Sequence, residues 1–193
     1  MKSLLEQLEI SLRATVALAI ILCGIYPVVI WAVAQVVFPS QANGSLIAES
    51  GRNEGSQLMG QDFVGDRYFH PRPSAAGNGY DAADSGGSNL GPLSKELHQT
   101  IADRVRRYRS GNGLSETTLV PADAVTASAS GLDPHISPAN AQLQAHRVVK
   151  ARGMSEDSMK QLIEQHTEGR TFGIFGDPRI NVLTLNLALD RKR

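Results

Sequence analysis

A chain of 193 residues in which 19 Lys and Arg balance 19 Asp and Glu carries no net charge, so neither nucleic acid nor an acidic surface is indicated as a partner. Its single cysteine, Cys23, excludes an intrachain disulfide, and stability must come from packing, a metal or partner subunits. Hydrophobic residues make up 41% of the chain while aromatics reach only 5%, which leaves a domain rich in Gly, Ser, Ala and Pro loops.

In chain order, Met1 to Arg13 is a short amphiphilic lead with Leu4, Leu5, Leu8 and Leu12 at helical spacing. From Ala14 to Phe38 no ionisable acid or base occurs, and the run is longer than the roughly 20 residues that cross a hydrocarbon core. A transmembrane helix is expected there. Two readings compete: a cleaved signal peptide, because Ala32-Val33-Ala34 resembles a cleavage site, although the apolar run exceeds the roughly 7–15 residues of a signal core, and a buried core helix, although such helices rarely lack a polar face over this length. Tyr26 and Trp31 suit the headgroup level, Pro27 allows a kink and Gly24 allows close helix approach. Lys2 and Arg13 precede the run and no Lys or Arg follows until Arg52, which predicts a cytoplasmic amino terminus. The expected organisation is a lead over 1–13, a span over 14–38, a linker over 39–56 and one periplasmic domain over 57–193.

Within that domain, Leu58, Met59, Phe63 and Val64 are spaced for a short strand or turn on a core, and Pro71 and Pro73 stiffen the next segment. His70 reads as a hydrogen-bonded structural histidine rather than a metal ligand, because no second ligand lies near it at metal spacing. Ser85-Gly86-Gly87-Ser88-Asn89 is a backbone nest able to hold an anion, and a helix follows it with Leu93, Leu97, Ile101, Val105 and Tyr108 in register. Ser94 is its predicted cap. The loop lacks the Gly-Lys-Ser/Thr ending of a Walker A motif, and a structural turn is favoured over a phosphate site.

Val125 to Pro138 carries Ser128, Ser130, Asp133 and His135. A hydrolytic triad would need the histidine to bridge nucleophile and acid, which sequence neighbours rarely achieve, and no G-x-S-x-G elbow occurs. No catalytic residue and no metal site is assigned. Ser137-Pro138 opens a helix expected through Val149, and Ser155 caps another through Thr167. Phe172-Gly173-Ile174-Phe175 reads as a short buried element. Val182 to Leu189 alternates like a strand, yet Asn181 is placed to cap a helix. The fold class is α+β, a single amino-terminal transmembrane helix followed by one mixed α and β extramembrane domain without internal repeats.

Four stretches resemble the sequence blocks of one family. YFHPRPSA (68–75), YDAADSGGSNLGP (80–92), VTASASGLDPHISPANAQ (125–142) and GDPRINVLTLN (176–186) are similar to the C subunit of the potassium-transporting Kdp P-type ATPase, as is the order of span and blocks. Asp84 and Asp177 depart from the residues usual in that family. The resemblance implies a non-catalytic subunit of a bacterial inner-membrane potassium importer, partnered by A, B and F subunits and the lipid bilayer. It further implies a catalytic chaperone that raises the B subunit's affinity for ATP. A nucleotide shared with the B subunit would fall on Ser85, Gly86, Gly87, Ser88 and Asn89, superficially like the Leu-Ser-Gly-Gly-Gln motif of ABC ATPases. The chain has neither the DKTGT phosphorylation motif nor a Walker A loop. Two alternatives remain: an anchored periplasmic cap or binding module without nucleotide, and an anchored serine hydrolase.

Overall fold

The computed structural model describes residues 2–49 and 51–192. It divides into two units, one through Leu46 and one from Ile47 onward.

The first unit is a helix that runs over Ser3–Val37 without interruption, its apolar side chains exposed along the whole length. At about 1.5 Å per residue such a helix exceeds the roughly 30 Å of a hydrocarbon core. It comprises α1 (Lys2–Ala19), a π-helical stretch over Ile20–Ile25 and α2 (Tyr26–Val37). Pro27 accounts for the π stretch. Proline has no N–H to give and its ring would strike the carbonyl four residues back. The wider π turn moves that carbonyl aside, and the Tyr26 N–H bonds the carbonyl of Ile21 instead. A short α3 (Pro39–Ala42) follows, with Pro39 at the first position.

A ribbon of β1 (Leu46–Glu49) and β2 (Arg52–Ser56) begins at the boundary of the two units, inside the stretch expected to be linker. The next regular element is α4 (Lys95–Gly111), after a long irregular segment. Ser94 caps α4 by accepting from the Leu97 N–H. Leu93 lies outside this helix and is 93% exposed, so it does not belong to the apolar stripe that the spacing suggested. After a 3₁₀ turn (Ala122–Ala124) come β3 (His135–Ile136), α5 (Pro138–Arg152), α6 (Glu156–Gln165), β4 (Thr167–Glu168), β5 (Arg179–Asn181) and α7 (Val182–Arg191). β5 is the centre of a three-stranded antiparallel sheet, with Ile180 opposite both Ile136 and Thr167.

Caps explain the helix limits. Ser137, Ser155 and Asn181 accept N–H bonds from Asn140, Ser158 and Thr184. Gly153, left-handed at φ +68°, ends α5 one turn beyond the expected Val149. The Asn181 cap decides the ambiguous carboxyl-terminal segment: it is helix, and Leu183, Leu185 and Leu189 are all buried because α7 is enclosed on several sides. The core consists of Phe69, Ile136, Val148, Met159, Leu162, Ile163, Ile180, Val182, Leu185 and Leu189 with their neighbours. Each such side chain stabilises the unit by about 1.5–3 kcal/mol before entropy is set against it.

The segment over 172–175 is not buried. Phe172, Ile174 and Phe175 are 88%, 70% and 65% exposed at the tip between β4 and β5, where the hairpin is too narrow to enclose them. Leu58 and Val64 are exposed as well, and no strand forms over 57–68.

Candidate functional site

An extended ribbon, residues 68–73, passes through the middle of the second unit without joining a sheet. Its proline pair forbids a regular ladder, so side-chain amides take over. Asn186, 1% exposed on α7, accepts from the Phe69 N–H at 2.9 Å and donates to the Phe69 carbonyl at 3.0 Å. Gln144, equally buried on α5, does the same for His70 at 2.7 and 3.0 Å. Two primary amides therefore play the part of a neighbouring strand. Spacing does not reveal them, because an Asn or Gln in an amphipathic helix reads as part of its solvated face.

Beyond the ribbon, Arg72 reaches Asp133 at 2.6 Å. Asp133 also accepts from the His135 backbone N–H at 3.0 Å and lies 3.2 Å from its ring Nδ1. Burial by itself would raise the Asp133 pKa. The His135 bonds and the Arg72 guanidinium outweigh it and hold the carboxyl at about 2. Ser128 Oγ accepts from the Asp133 N–H and Ser130 Oγ from the Leu132 N–H. Among the described residues neither serine bonds the His135 ring, so the acid and the imidazole pair but the nucleophile of a triad is not brought to them.

The nest over 85–89 is docked on the same loop. Ser85 Oγ donates to the Ser130 carbonyl at 2.9 Å and the Gly86 N–H to that same oxygen at 3.0 Å. Gly131, at φ +69°, lets the two loops meet: a Cβ there would lie 2.6 Å from the Ala76 nitrogen and 2.7 Å from the Gly86 oxygen. Asn89 is itself left-handed at φ +52°. The loop reaches α4 only through Leu90 to Leu93, and the cap of that helix is Ser94.

Between the 62–74 segment and α4 lies an open cleft of about 600 Å³, lined among others by Asp62, Asp66, His70, Arg104, Arg107 and Arg147. Arg147 is buried and ties the cleft floor together. Its Nε donates to Asn112 Oδ1 at 2.9 Å, Nη1 to the Gly65 and Tyr68 carbonyls at 3.2 and 3.0 Å, and Nη2 to Gln144 Oε1 at 2.9 Å. Among the described residues it has no carboxylate at ion-pair distance. Burial lowers its pKa, opposed by Asp66. His70 Nε2–H donates to the Gly65 carbonyl, 2.9 Å away, and the ring is held below its ordinary pKa by burial and by Arg147, against the pull of that carbonyl and of Asp66 and Asp62. Burial raises the phenols of Tyr80 and Tyr108, whose hydroxyls donate to the Arg72 carbonyl and to Asn140. Burial and then Arg107 lower Arg104. The cleft is thus a cationic, hydrogen-bonded surface in which His70 is tied to the Gly65 carbonyl.

These bonds link the four sequence blocks to one another. Ribbon 68–75 binds α7 through Asn186 and loop 125–142 through Arg72 and Ser74. Loop 80–92 binds the latter through Ser85, and the Val182 N–H closes on the Pro134 carbonyl at 2.9 Å.

Comparison with known proteins accounts for the blocks. Residues 8–191 match the family model described as KdpC, K+-transporting ATPase, c chain. The chain is 50% identical to the potassium-transporting ATPase KdpC subunit of Mycobacterium tuberculosis, over 96% of this chain and 98% of that one. It is 48% identical to the same subunit of Koribacter versatilis, over 96% and 94% of the two chains. With that of Nitratidesulfovibrio vulgaris it shares 52% identity over 93% and 91%. On this match over nearly its whole length, and on the apolar helix that precedes the interlocked blocks, the chain belongs to the KdpC family of potassium-transporting ATPase subunits.

Proposed function

We propose that this chain is a non-catalytic accessory subunit that assembles and stabilises an ATP-driven, high-affinity potassium import complex in the bacterial inner membrane, with A, B and F subunits as partners. The observation that carries the reading is the pairing of one exposed apolar helix of spanning length with a folded unit bearing the family's blocks. Lys2 and Arg13 before the helix, against none before Arg52 after it, support a cytoplasmic amino terminus and a periplasmic domain over 57–193. Ser128 and Ser130 accept from backbone N–H groups and, among the described residues, neither bonds the His135 ring, which speaks against the hydrolase alternative.

In this reading the subunit raises the B subunit's ATP affinity as a catalytic chaperone, and the effect travels through the membrane helices as a coupling free energy. A domain outside the membrane is separated from cytoplasmic nucleotide by about 30 Å of hydrocarbon. Direct contact of ATP with Ser85, Gly86, Gly87, Ser88 and Asn89, shared with the B subunit, belongs to the opposite orientation. A cap at the outer potassium entrance without any nucleotide effect is the second reading, supported by the same charge asymmetry.

Single cysteines at the exposed Ser88 and Gln161, in a Cys23→Ser background, test the orientation in intact cells with an impermeant thiol reagent. Labelling before lysis is expected. Labelling only after lysis reverses the orientation and makes the 85–89 loop the first place to look for nucleotide. The KM for ATP of complexes with and without this subunit then separates chaperone from cap.

A further inference from the structure

The turn between β4 and β5 displays apolar side chains in a fixed shape. Thr171 and Phe175 exchange both backbone bonds, at 2.9 and 3.0 Å, and the Gly173 N–H closes on the Arg170 carbonyl at 2.9 Å. Phe172 sits in the left-handed region at φ +54°, which a phenylalanine rarely adopts. Below the tip two ion pairs staple the arms, Arg170 to Asp177 and Arg179 to Glu168, each at 3.0 Å. Phe172, Ile174 and Phe175 are thereby held out in solvent by a built turn.

Area and charge decide what covers them. Two phenylalanines and an isoleucine at these exposures present roughly 400 Å² of apolar surface, half of the about 800 Å² per partner that a stable independent interface needs. A second copy docked through this narrow knob alone would not hold. The knob suffices as an anchor where another tether already supplies proximity, since a second contact is then effectively intramolecular. The membrane helix of the same chain is such a tether. Both arginines at the tip are matched by acids, whereas a loop meant for an anionic bilayer keeps its cations free. Neutral, convex and aromatic, the tip fits a concave apolar pocket of a protein, where buried aromatic anchors carry most of the binding energy.

We propose that the 171–175 tip is a docking knob that inserts Phe172 and Phe175 into an uncharged apolar pocket on another subunit of the same transport complex. This rests on the reading of the chain as an assembling subunit. The test uses the full chain expressed with the other subunits of its complex, carrying p-benzoylphenylalanine at position 172 or, as control, at the exposed Gln161 on α6. Irradiated in membranes, the 172 variant is expected to form a covalent adduct with a subunit of the complex, identified by mass spectrometry, and the 161 variant is not. Lipid adducts, a covalent dimer of this chain, or a pattern no different from position 161 would overturn the proposal. In parallel, a Phe172→Ser, Phe175→Ser double variant is expected to keep its thermal transition and to retain the other subunits in mild detergent at least about tenfold less well. Unchanged retention would overturn it too. Thiol labelling at Ser88 reports orientation separately, so a reversed topology with an intact 172 adduct would remove the periplasmic placement and leave the knob.

Discussion

Replacing Asn186 by Ala tests whether amides hold the ribbon in place of a strand. The change deletes both partners of Phe69, whose side chain is fully buried, and leaves one N–H and one carbonyl without a bond. Each unpaired buried group costs about 1–3 kcal/mol, so a loss of roughly 3 kcal/mol is expected after partial relaxation. For a chain of this size that corresponds to a fall in Tm of roughly 6–12 °C. Asn186→Asp keeps the acceptor and loses the donor, and near neutral pH it buries a charge, so it should do no better than Ala. The assay is a thermal scan of the full chain in mild detergent by near-ultraviolet circular dichroism, with Gln161→Ala as an exposed helical control. A fall of less than about 2 °C relative to that control would refute the reasoning.

Asp133 and His70 should give separate pH dependences. Asp133 is depressed from 3.8 to about 2, so its stabilisation of roughly 2 kcal/mol is present above pH 4 and lost as pH falls from about 4 to 2; Asp133→Asn should flatten acid unfolding in that window. His70 is lowered from 6.5, so the unfolded chain takes the proton first and stability declines as pH falls below about 6.5, a slope that His70→Gln should remove in a pH series of denaturation curves. Gly131→Ala combines a left-handed φ with a Cβ 2.6 Å from the Ala76 nitrogen, and should destabilise by more than about 2 kcal/mol in thermal scans. Gly113→Ala, at φ +65° in open space, should cost only about 1 kcal/mol. Arg147→Lys cannot reproduce four bonds fanned over a plane and should lower the Tm nearly as far as Arg147→Met.

Much of the fold is legible in the sequence because its determinants are local. The uncharged run from Ala14 declares the span, and Ser94, Ser137 and Ser155 mark helix starts where they are found. Two segments misread as core or as ambiguous differ for a physical reason. Alternation in Leu183, Leu185, Leu187 and Leu189 suggests a strand, but a helix enclosed on several sides also buries residues off one stripe. Phe172 and Phe175 suggest burial by type alone, and only the hairpin geometry leaves them exposed. In the 125–138 loop, Asp133 and His135 can be picked out by residue type. Asn186, Gln144 and Arg147 cannot, because their roles depend on partners as far as 117 residues away.

The π turn in the membrane helix has a consequence for chain length. It holds one more residue than an α turn would, and each residue of an α-helix advances the screw by about 100°. Removing one residue within Ile20–Ile25, together with Pro27→Ala so that no ring opposes the closure, would let the helix close into ordinary geometry while every side chain before and after kept its compass bearing. The same deletion between Val28 and Val37 would swing the remaining outer residues by about a quarter turn. The bulge is therefore a segment of the span where a length change can be absorbed without re-aiming the side chains on either side of it.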